Sequence, residues 1–288
     1  MTPMVYLNGA FVSAAEAAVN VYDGGLLHGA GLFETMRAAC GCVFRLEAHL
    51  DRLRRSAETL ISPITREALP SGEVLGELLE RNALRDARVR LTLSAGPIRS
   101  NAESTGPSWT VCATAAALGA YPEAFYKRGV HTVICNHKVS PSDPLAGHKT
   151  TNYLSRLIGL RQAQQARCVE ALWFTTGHLL AEASISNVFV VRGGVLKTPP
   201  LDTPVLPGIA RGVVLEIARR EGIEASECPL TINDLFEADE VLLTNSIMQV
   251  LPVVRVERHD IGGGRVGPMA GKLLSEYRNV VGRECGVE

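Results

Sequence analysis

Alternating hydrophobic and polar positions mark strands along this chain, and helical spacing marks the segments between them. Residues 5–12 alternate and turn at Asn8-Gly9, a dipeptide typical of two-residue β-hairpins. Residues 46–60 place their leucines on one stripe, which predicts an amphipathic helix. Further helices are predicted near residues 72–83, 153–167, 208–221, 231–236 and 269–280. Further strands are predicted near residues 32–46, 88–95, 109–116, 129–135, 169–198, 223–228, 239–244 and 250–257.

This order of elements predicts an α+β chain with two domains. A length of 288 residues is enough for two compact domains. We predict a small N-terminal α/β domain over residues 1–117 and a linker over residues 118–128. A larger C-terminal domain is predicted over residues 129–288.

The composition excludes several classes of protein. The formal net charge is −1, and no tract of lysine and arginine suggests a nucleic-acid partner. No segment approaches the roughly 20 apolar residues of a membrane helix. The first residues also lack the basic and then apolar pattern of a signal peptide. We therefore expect a cytoplasmic protein with neither a nucleic-acid nor a membrane partner.

The cysteines do not predict a metal site or a disulfide framework. Seven cysteines are scattered along the chain, and Cys40 and Cys42 are separated by one residue rather than two. Such spacing is typical of reduced, structural cysteines. No HExxH, EF-hand or Walker A pattern is present, so no metal is predicted.

Lysine is scarce in this chain, which narrows the search for a reactive amine. Of the 29 basic residues only five are lysines, and none lies before Lys127. Lys149 follows His148 where a turn-rich loop meets a predicted helix. A lysine amine becomes nucleophilic when it is desolvated or lies beside other cations. Lys149 is the best of the five candidates, although an exposed loop lysine is the simpler interpretation of its spacing alone.

Two segments could bind a phosphate group. Leu206-Pro-Gly-Ile-Ala-Arg211 opens a predicted helix, whose first backbone N–H groups and positive dipole end favour anions. Residues 244–248 follow a strand and offer hydroxyl and amide groups. Taken alone, the first segment is an ordinary helix start and the second is a turn.

Two charged residues have one functional and one structural interpretation each. Glu182 lies among small and apolar residues, and a buried carboxylate there would need a partner such as a protonated heterocyclic nitrogen. A surface glutamate at a strand end is the alternative. Arg52 lies on the predicted helix 46–60, where spacing alone places it toward solvent.

Taken in order, these features resemble the fold-type IV enzymes that depend on pyridoxal 5'-phosphate. The family includes branched-chain aminotransferases, D-amino-acid aminotransferases and 4-amino-4-deoxychorismate lyases. The similar stretches are residues 23–37, His49-x-x-Arg52-Leu53, Lys149, Glu182 to Asn187, Leu206 to Arg211 and Thr244 to Val253. The resemblance implies a small α/β domain, a larger pseudo-barrel domain and a homodimer that acts on a small-molecule amino substrate.

The resemblance also implies roles for individual residues. Lys149 would form the Schiff base and carry protons, and Glu182 would pair with the pyridine nitrogen. Arg52, Ile209, Ala210 and Ser246 fall on positions that bind the phosphate, and Tyr153 falls near the tyrosine that bonds the pyridine hydroxyl. The whole cofactor-binding set would be Arg52, Lys149, Tyr153, Glu182, Ser186, Asn187, Ile209, Ala210, Asn245 and Ser246. Substrate contacts are predicted at His28, Arg90 and Arg99.

The sequence leaves the reaction open between elimination and amino transfer. Thr35 and the segment Thr244-Asn-Ser-Ile-Met248 resemble the aminodeoxychorismate lyases, which would release 4-aminobenzoate and pyruvate. In that case Thr35 would join Lys149 as a catalytic residue. The alternatives are an aminotransferase for branched-chain or D-amino acids and a relative that binds the cofactor without catalysis.

Overall fold

The structure is a computed structural model that describes residues 2–98, 109–119 and 121–286. Its contacts divide the chain into two units. The first unit takes residues 1–119, 148–152 and 281–288, and the second takes residues 120–147 and 153–280. Each unit contains its own sheet.

The first unit contains a six-stranded sheet in the order β2-β1-β6-β5-β3-β4. Its strands are β1 (Met4–Leu7), β2 (Ala10–Ser13), β3 (Gly31–Ala39), β4 (Cys42–Val43), β5 (Ala87–Ser94) and β6 (Thr110–Ala117). Its helices are α1 (Gly24–His28), α2 (Leu46–Leu60) and α3 (Gly72–Arg81). Every pair of neighbouring strands in this sheet is antiparallel.

Helices α2 and α3 cover one face of this sheet. Leu32 and Met36 of β3 pack with Leu50 and Leu53 of α2 in the buried core. Because side chains alternate along a strand, Phe33, Thr35 and Arg37 lie on the opposite face of β3. The sheet of the first unit therefore has one face filled by helices and another that presents polar side chains.

The second unit contains a nine-stranded mixed sheet in the order β12-β11-β10-β13-β14-β7-β8-β9, with β15 paired to β14. Its strands are β7 (Val130–Val139), β8 (Glu170–Thr175), β9 (Leu180–Ala183), β10 (Asn187–Arg192), β11 (Val195–Thr198), β12 (Ala225–Glu227), β13 (Glu240–Asn245), β14 (Gln249–Val256) and β15 (His259–Asp260). Its helices are α4 (Glu123–Arg128), α5 (Leu154–Gln165), α6 (Ile209–Arg220), α7 (Ile232–Phe236) and α8 (Pro268–Cys285), which ends in the first unit.

Strands β10 and β13 expose two different faces to two different sets of neighbours. Val188 pairs with Leu243, and both belong to the main hydrophobic core of this unit. Asn187 pairs with Thr244 in the same antiparallel register, so these two side chains share the other face. Helix α6 packs against β13. The polar ends of the two strands are therefore adjacent in the second unit.

Most of the predicted elements are confirmed, including the helix at residues 46–60 and the α+β class. The differences follow from local chemistry. The short helix α1 was missed because its glycines predict a turn, but Asp23 caps it by accepting from the Gly25 N–H. Helix α4 lies inside the segment that was predicted as a linker. The predicted boundaries also differ from the contact-based units, because residues 148–152 hydrogen-bond to β3.

Candidate active site

The segment that carries Lys149 is fixed to strand β3 in the first unit. The backbone N–H of Phe33 donates to the Lys149 carbonyl at 2.9 Å, and the Thr151 N–H donates to the Gly31 carbonyl at 2.8 Å. The Thr151 hydroxyl adds a bond of 3.0 Å to the Gly29 carbonyl. His148, one residue earlier, shares a hydrogen bond of 2.9 Å with the Ser56 hydroxyl. Lys149 is thus held on a rigid element, although it lies in a loop.

The Lys149 ammonium lies against an aromatic ring on the open face of the sheet. Its Nζ is 4.5 Å from the centroid of Phe33, and the Arg90 guanidinium carbon is 3.8 Å from the same centroid. Arg90 pairs in register with Thr35, so both side chains share this face with Phe33. The structure therefore brings Lys149 and Arg90 to one aromatic ring and places Thr35 on the same sheet face.

A buried ionic cluster lies on the other face of β3. The Arg52 guanidinium donates from Nε to Glu34 Oε1 at 2.8 Å and from Nη2 to Oε2 at 2.5 Å. His49 Nδ1 is 2.7 Å from the same carboxylate. Arg52 is only 4% exposed, so the solvent-facing position that helical spacing suggested is wrong. Arg52 lies beside Leu53 on the buried side of α2, where its acidic partner on β3 holds the guanidinium inside the unit.

The charges of this cluster are fixed by its geometry. Burial alone would raise the pKa of Glu34, but Arg52 and His49 outweigh it and lower that pKa to about 2. Burial also lowers the pKa of His49, with a smaller opposing effect from Glu34. At neutral pH the cluster therefore consists of a carboxylate, a guanidinium and a neutral imidazole.

Glu182 is held at the end of β9 in the second unit. Its Oε1 accepts from Arg156 Nη2 at 2.6 Å, and its Oε2 accepts from the Leu206 N–H at 3.0 Å. Asn187 Nδ2 is 3.4 Å from the same Oε2 and donates to the Leu206 carbonyl at 2.9 Å. Glu182 is 7% exposed, which excludes the surface-glutamate interpretation. A carboxylate this well oriented can receive a further cationic donor.

The start of helix α6 forms a cradle beside this carboxylate. No side chain caps the first N–H groups of α6, which belong to Ile209 and its successors. Gly208 precedes them, and a Cβ at that position would overlap Asn187 Oδ1. The hydroxyl of Thr244, the register partner of Asn187, is buried and has no hydrogen-bond partner among the described residues. Free N–H groups, a glycine and an orphaned hydroxyl together suit a phosphate group.

Several predicted residues are hydrogen-bonded to other protein groups rather than directed into open space. Asn245 Oδ1 accepts from the Ile247 and Met248 N–H groups at 2.9 and 2.8 Å, which fixes the turn that contains Ser246. The Tyr153 hydroxyl is 3.2 Å from the Ser184 carbonyl. The Ser186 hydroxyl donates to Glu170 at 2.7 Å. These contacts position the turns of the site, and direct contacts of these residues with a cofactor stay predictions.

One predicted substrate residue, His28, is not brought to this site. His28 is exposed at the end of α1, and Arg99 lies outside the described residues. Three functional candidates were missed by the sequence reasoning, namely Glu34, Arg156 and Glu170. The strand pattern already pointed to Glu34. It lies between Leu32 and Met36 on the face of β3 that the helices cover, and both of these neighbours are apolar and buried. No group of three or more potential metal-ligating side chains occurs in the described part of the chain, and none of its helices is long and apolar enough to span a membrane.

Comparison with known proteins gives a consistent result. The family model for class IV aminotransferases matches residues 31–256. A Methanocaldococcus jannaschii protein, provisionally named a branched-chain-amino-acid aminotransferase, is 36% identical over 281 residues, covering 96% of either chain. The aminodeoxychorismate lyase of Bacillus subtilis is 32% identical over 262 residues, covering 90% of this chain and 88% of the lyase. The structure of a T.th. branched-chain amino acid aminotransferase with pyridoxamine 5'-phosphate aligns with a TM-score of 0.89 at 29% identity, covering 98% of this chain and 95% of that one.

The two sheets, the anchored lysine and the carboxylate beside a phosphate cradle define an enzyme of fold type IV that depends on pyridoxal 5'-phosphate. More particularly, the chain belongs to the class IV aminotransferase family. Both the lyase and the aminotransferase branches of that family occur among its relatives.

Proposed function

We propose that this protein is an aminodeoxychorismate lyase, which splits 4-amino-4-deoxychorismate into 4-aminobenzoate and pyruvate. The observation that carries the proposal is the position of Thr35. Its side chain shares a sheet face with Phe33, and the Lys149 ammonium lies against the Phe33 ring. A hydroxyl on the face that carries the reactive lysine provides a second group for proton transfer.

Each predicted cofactor-binding residue would hold one part of the cofactor. In the second unit, Glu182 would face the protonated ring nitrogen, and the start of α6 with Ser246 would hold the phosphate. Lys149 would hold the cofactor through Nζ, and the phosphate contact of Arg52 stays a prediction, because its guanidinium is bonded to Glu34 on the other face of β3. Pyridoxal phosphate supplies an electron sink that makes the Cα proton of a bound amine acidic. Once the substrate amine has displaced it from the cofactor, the free Lys149 Nζ would remove that proton as a general base.

Thr35 would act after the proton has left Cα. Loss of pyruvate from the substrate needs a proton at the departing oxygen, which Thr35 Oγ1 could deliver. General acid catalysis of this kind contributes about 10²–10⁴ in rate. We therefore expect Thr35→Val to reduce lyase turnover at least about tenfold while amino acids still convert the bound cofactor to its amine form. Thr114→Val is the matched control, since Thr114 is the exposed register partner of Arg90 on the same face.

An aminotransferase for branched-chain or D-amino acids is the second candidate. It is supported by the 36% identity with the Methanocaldococcus jannaschii protein and by Arg90, whose guanidinium lies on the same ring as Lys149. Such a guanidinium can bind a substrate carboxylate in a bidentate manner. In this case Lys149 would return the proton to the cofactor, and Thr35 would be dispensable.

Purified protein loaded with pyridoxal 5'-phosphate distinguishes the two candidates. Release of 4-aminobenzoate from aminodeoxychorismate would support the lyase, and its absence at every enzyme concentration would reject it. Keto-acid formation from a panel of amino acids would support the aminotransferase.

The lysine assignment has its own test. Borohydride reduction followed by peptide mass spectrometry should locate the cofactor on Lys149. Lys149→Ala should abolish both the attachment and all turnover, whereas Lys272→Ala, at an exposed ion pair on α8, should change neither. Attachment at another lysine would contradict the assignment.

We also propose that the protein forms a homodimer. The N-terminal unit exposes large hydrophobic side chains in one short stretch, namely Val19, Val21, Tyr22, Leu26 and Leu27. Exposed apolar patches of this kind favour association between chains. Light scattering of the wild type and of Leu26→Glu would test the proposal, because a charge at the interface should shift the protein toward the monomer.

A further inference from the structure

Glu170, at the first position of β8, is a buried carboxyl outside the predicted cofactor-binding set. Its Oε1 accepts from the Ser186 hydroxyl at 2.7 Å, and its Oε2 accepts from the Ile185 N–H at 3.0 Å. These donors belong to the turn between β9, which carries Glu182, and β10, which begins at Asn187. A single carboxyl therefore fixes both a side chain and the backbone of that turn.

The same turn is connected to other residues of the second unit. Trp173 Nε1 donates to the Ser184 hydroxyl at 3.1 Å, and the Tyr153 hydroxyl is 3.2 Å from the Ser184 carbonyl. At its far end, Asn187 Nδ2 is 3.4 Å from Glu182 Oε2. The turn that Glu170 holds therefore leads directly to Asn187, which contacts the carboxylate of Glu182.

The charges around Glu170 are not balanced. Burial raises the pKa of Glu170 to about 7, and the negative charge of Glu182 adds to this effect. Hydrogen bonds from Ser186 and Ile185 act in the opposite direction, as does the charge of Arg156 on α5. On the neighbouring strand β7, the register partner of Glu170 is Thr132, which is uncharged.

Arg156 is already committed to the other carboxylate. It pairs with Glu182 at 2.6 Å, so two carboxyl groups depend on one guanidinium. A proton on Glu170 removes one of the two negative charges that share this guanidinium. A second cation beside Glu182 would offset one of those charges equally well and would make that proton unnecessary.

We propose that Glu170 is a positioning residue for Glu182, which holds the turn at residues 184–186 and gives up a proton when a second cation reaches the Glu182 carboxylate. The inference rests on the proposed function, because that cation is the protonated ring nitrogen that Glu182 would face. No covalent step is involved, and the proton passes from the Glu170 carboxyl to water. The negative charge left on Glu170 would offset the positive charge brought beside Glu182.

The first test uses protein without cofactor and compares the wild type with Glu170→Gln. The glutamine carbonyl can accept from Ile185 and its amide can donate to the Ser186 oxygen, so the turn keeps its bonds. A folded-state pKa above the unfolded value stabilises the protein fully at low pH, and this stabilisation is lost as pH rises through about 7. The unfolding free energy of the wild type should therefore fall relative to the variant between about pH 5 and pH 8. A difference that does not change with pH would overturn the proposal.

An infrared measurement on the wild type keeps the inference testable even if the variant does not fold. The band of a protonated carboxyl should be present below pH 7 and should disappear above it. A wild-type spectrum without such a band at any pH above about 5, where ordinary carboxyls are ionised, would contradict the inference.

The second test adds pyridoxal 5'-phosphate to weakly buffered protein near pH 7. The wild type should release up to about half a proton more per bound cofactor than Glu170→Gln, because a carboxyl with a pKa of about 7 is half protonated at pH 7. The visible absorbance band of the bound cofactor should titrate with a midpoint shifted by roughly one pH unit in the variant. Glu240→Gln is the matched control and should behave as the wild type, because Glu240 is a buried carboxyl that accepts two N–H groups of α8.

The outcomes separate this inference from the proposed function. Equal proton release with normal binding would reject the coupling and leave the enzyme assignment intact. Failure of pyridoxal 5'-phosphate to bind the wild type would reject the assignment and the coupling, whereas the cofactor-free titration would still decide whether Glu170 is protonated near neutral pH.

Discussion

Glu34 in the first unit and Glu170 in the second are both buried on sheet strands, yet their acidities are opposite. The pKa of Glu34 is lowered to about 2, and the pKa of Glu170 is raised to about 7. Burial opposes ionisation in both cases. The difference lies in their neighbours. Glu34 bonds to Arg52 and His49. Glu170 bonds to the Ser186 hydroxyl and the Ile185 N–H, and it lies near a second negative charge, that of Glu182.

The comparison shows that the partners of a buried carboxyl, and not its burial, decide whether it can carry a proton at neutral pH. Glu34 remains charged and serves as a rigid support for Arg52. Glu170 changes charge near neutral pH, so its protonation can depend on whether a second cation lies beside Glu182. The two units thus use the same residue type for two purposes, one structural and one titratable.

The largest expected effect comes from breaking the ion pair of the first unit. Arg52→Met leaves the charge of Glu34 buried without its guanidinium, which should cost about 3–5 kcal/mol of unfolding free energy. Arg192→Met is the control, because Arg192 and Glu237 form an exposed pair at 2.7 Å that should contribute at most about 1 kcal/mol. Urea unfolding at pH 7 without cofactor measures both. A loss at Arg52 no larger than that at Arg192 would show that Glu34 does not depend on this partner.

A somewhat smaller effect should follow from acid. A folded-state pKa of about 2 stabilises the protein above the unfolded pKa of 4.5, and this stabilisation is lost as pH falls toward 2. The shift corresponds to about 3 kcal/mol at neutral pH. Glu34→Gln should therefore be less stable than the wild type at pH 7, and the gap should narrow toward pH 3. A gap that stays constant with pH would mean that the pKa of Glu34 is not lowered.

Local structure could be predicted from the sequence where one pattern dominated. The leucine stripe at residues 46–60 predicted α2 with its observed bounds. Lys149 was selected because lysines are few; its segment is fixed to β3, and its role stays a prediction. The position of Arg52 was wrong from spacing alone, because periodicity does not reveal a buried acidic partner on a neighbouring strand.

Contacts between distant strands could not be predicted in the same way. Glu170 precedes an apolar run and has no partner close to it in sequence, since Ser186 lies 16 residues further on. Arg156 on α5 likewise meets Glu182 only after the chain has folded. Acidity depends on such contacts, so the charges of these residues could not be predicted from the sequence.

The smallest expected effect concerns a single hydrogen bond in the second unit. Ser186→Ala removes the hydroxyl that donates to Glu170, which should cost about 1 kcal/mol. The same bond holds the pKa of Glu170 down, so its loss should raise that pKa further. Because the protein must then keep a less favourable carboxylate buried, the cost of the substitution should grow as pH rises through about 7.

Thr198→Val provides the matched control for this substitution. Its buried hydroxyl donates to the Val188 carbonyl at 2.8 Å, in the same unit, and that acceptor does not titrate. The two substitutions should therefore cost similar amounts at pH 5, and only the cost of Ser186→Ala should increase at pH 8. Parallel pH profiles would mean that the Ser186 hydroxyl does not control the charge of Glu170. In that case the difference in pKa between Glu34 and Glu170 would depend on burial and on the other neighbours of Glu170, namely Ile185, Glu182 and Arg156.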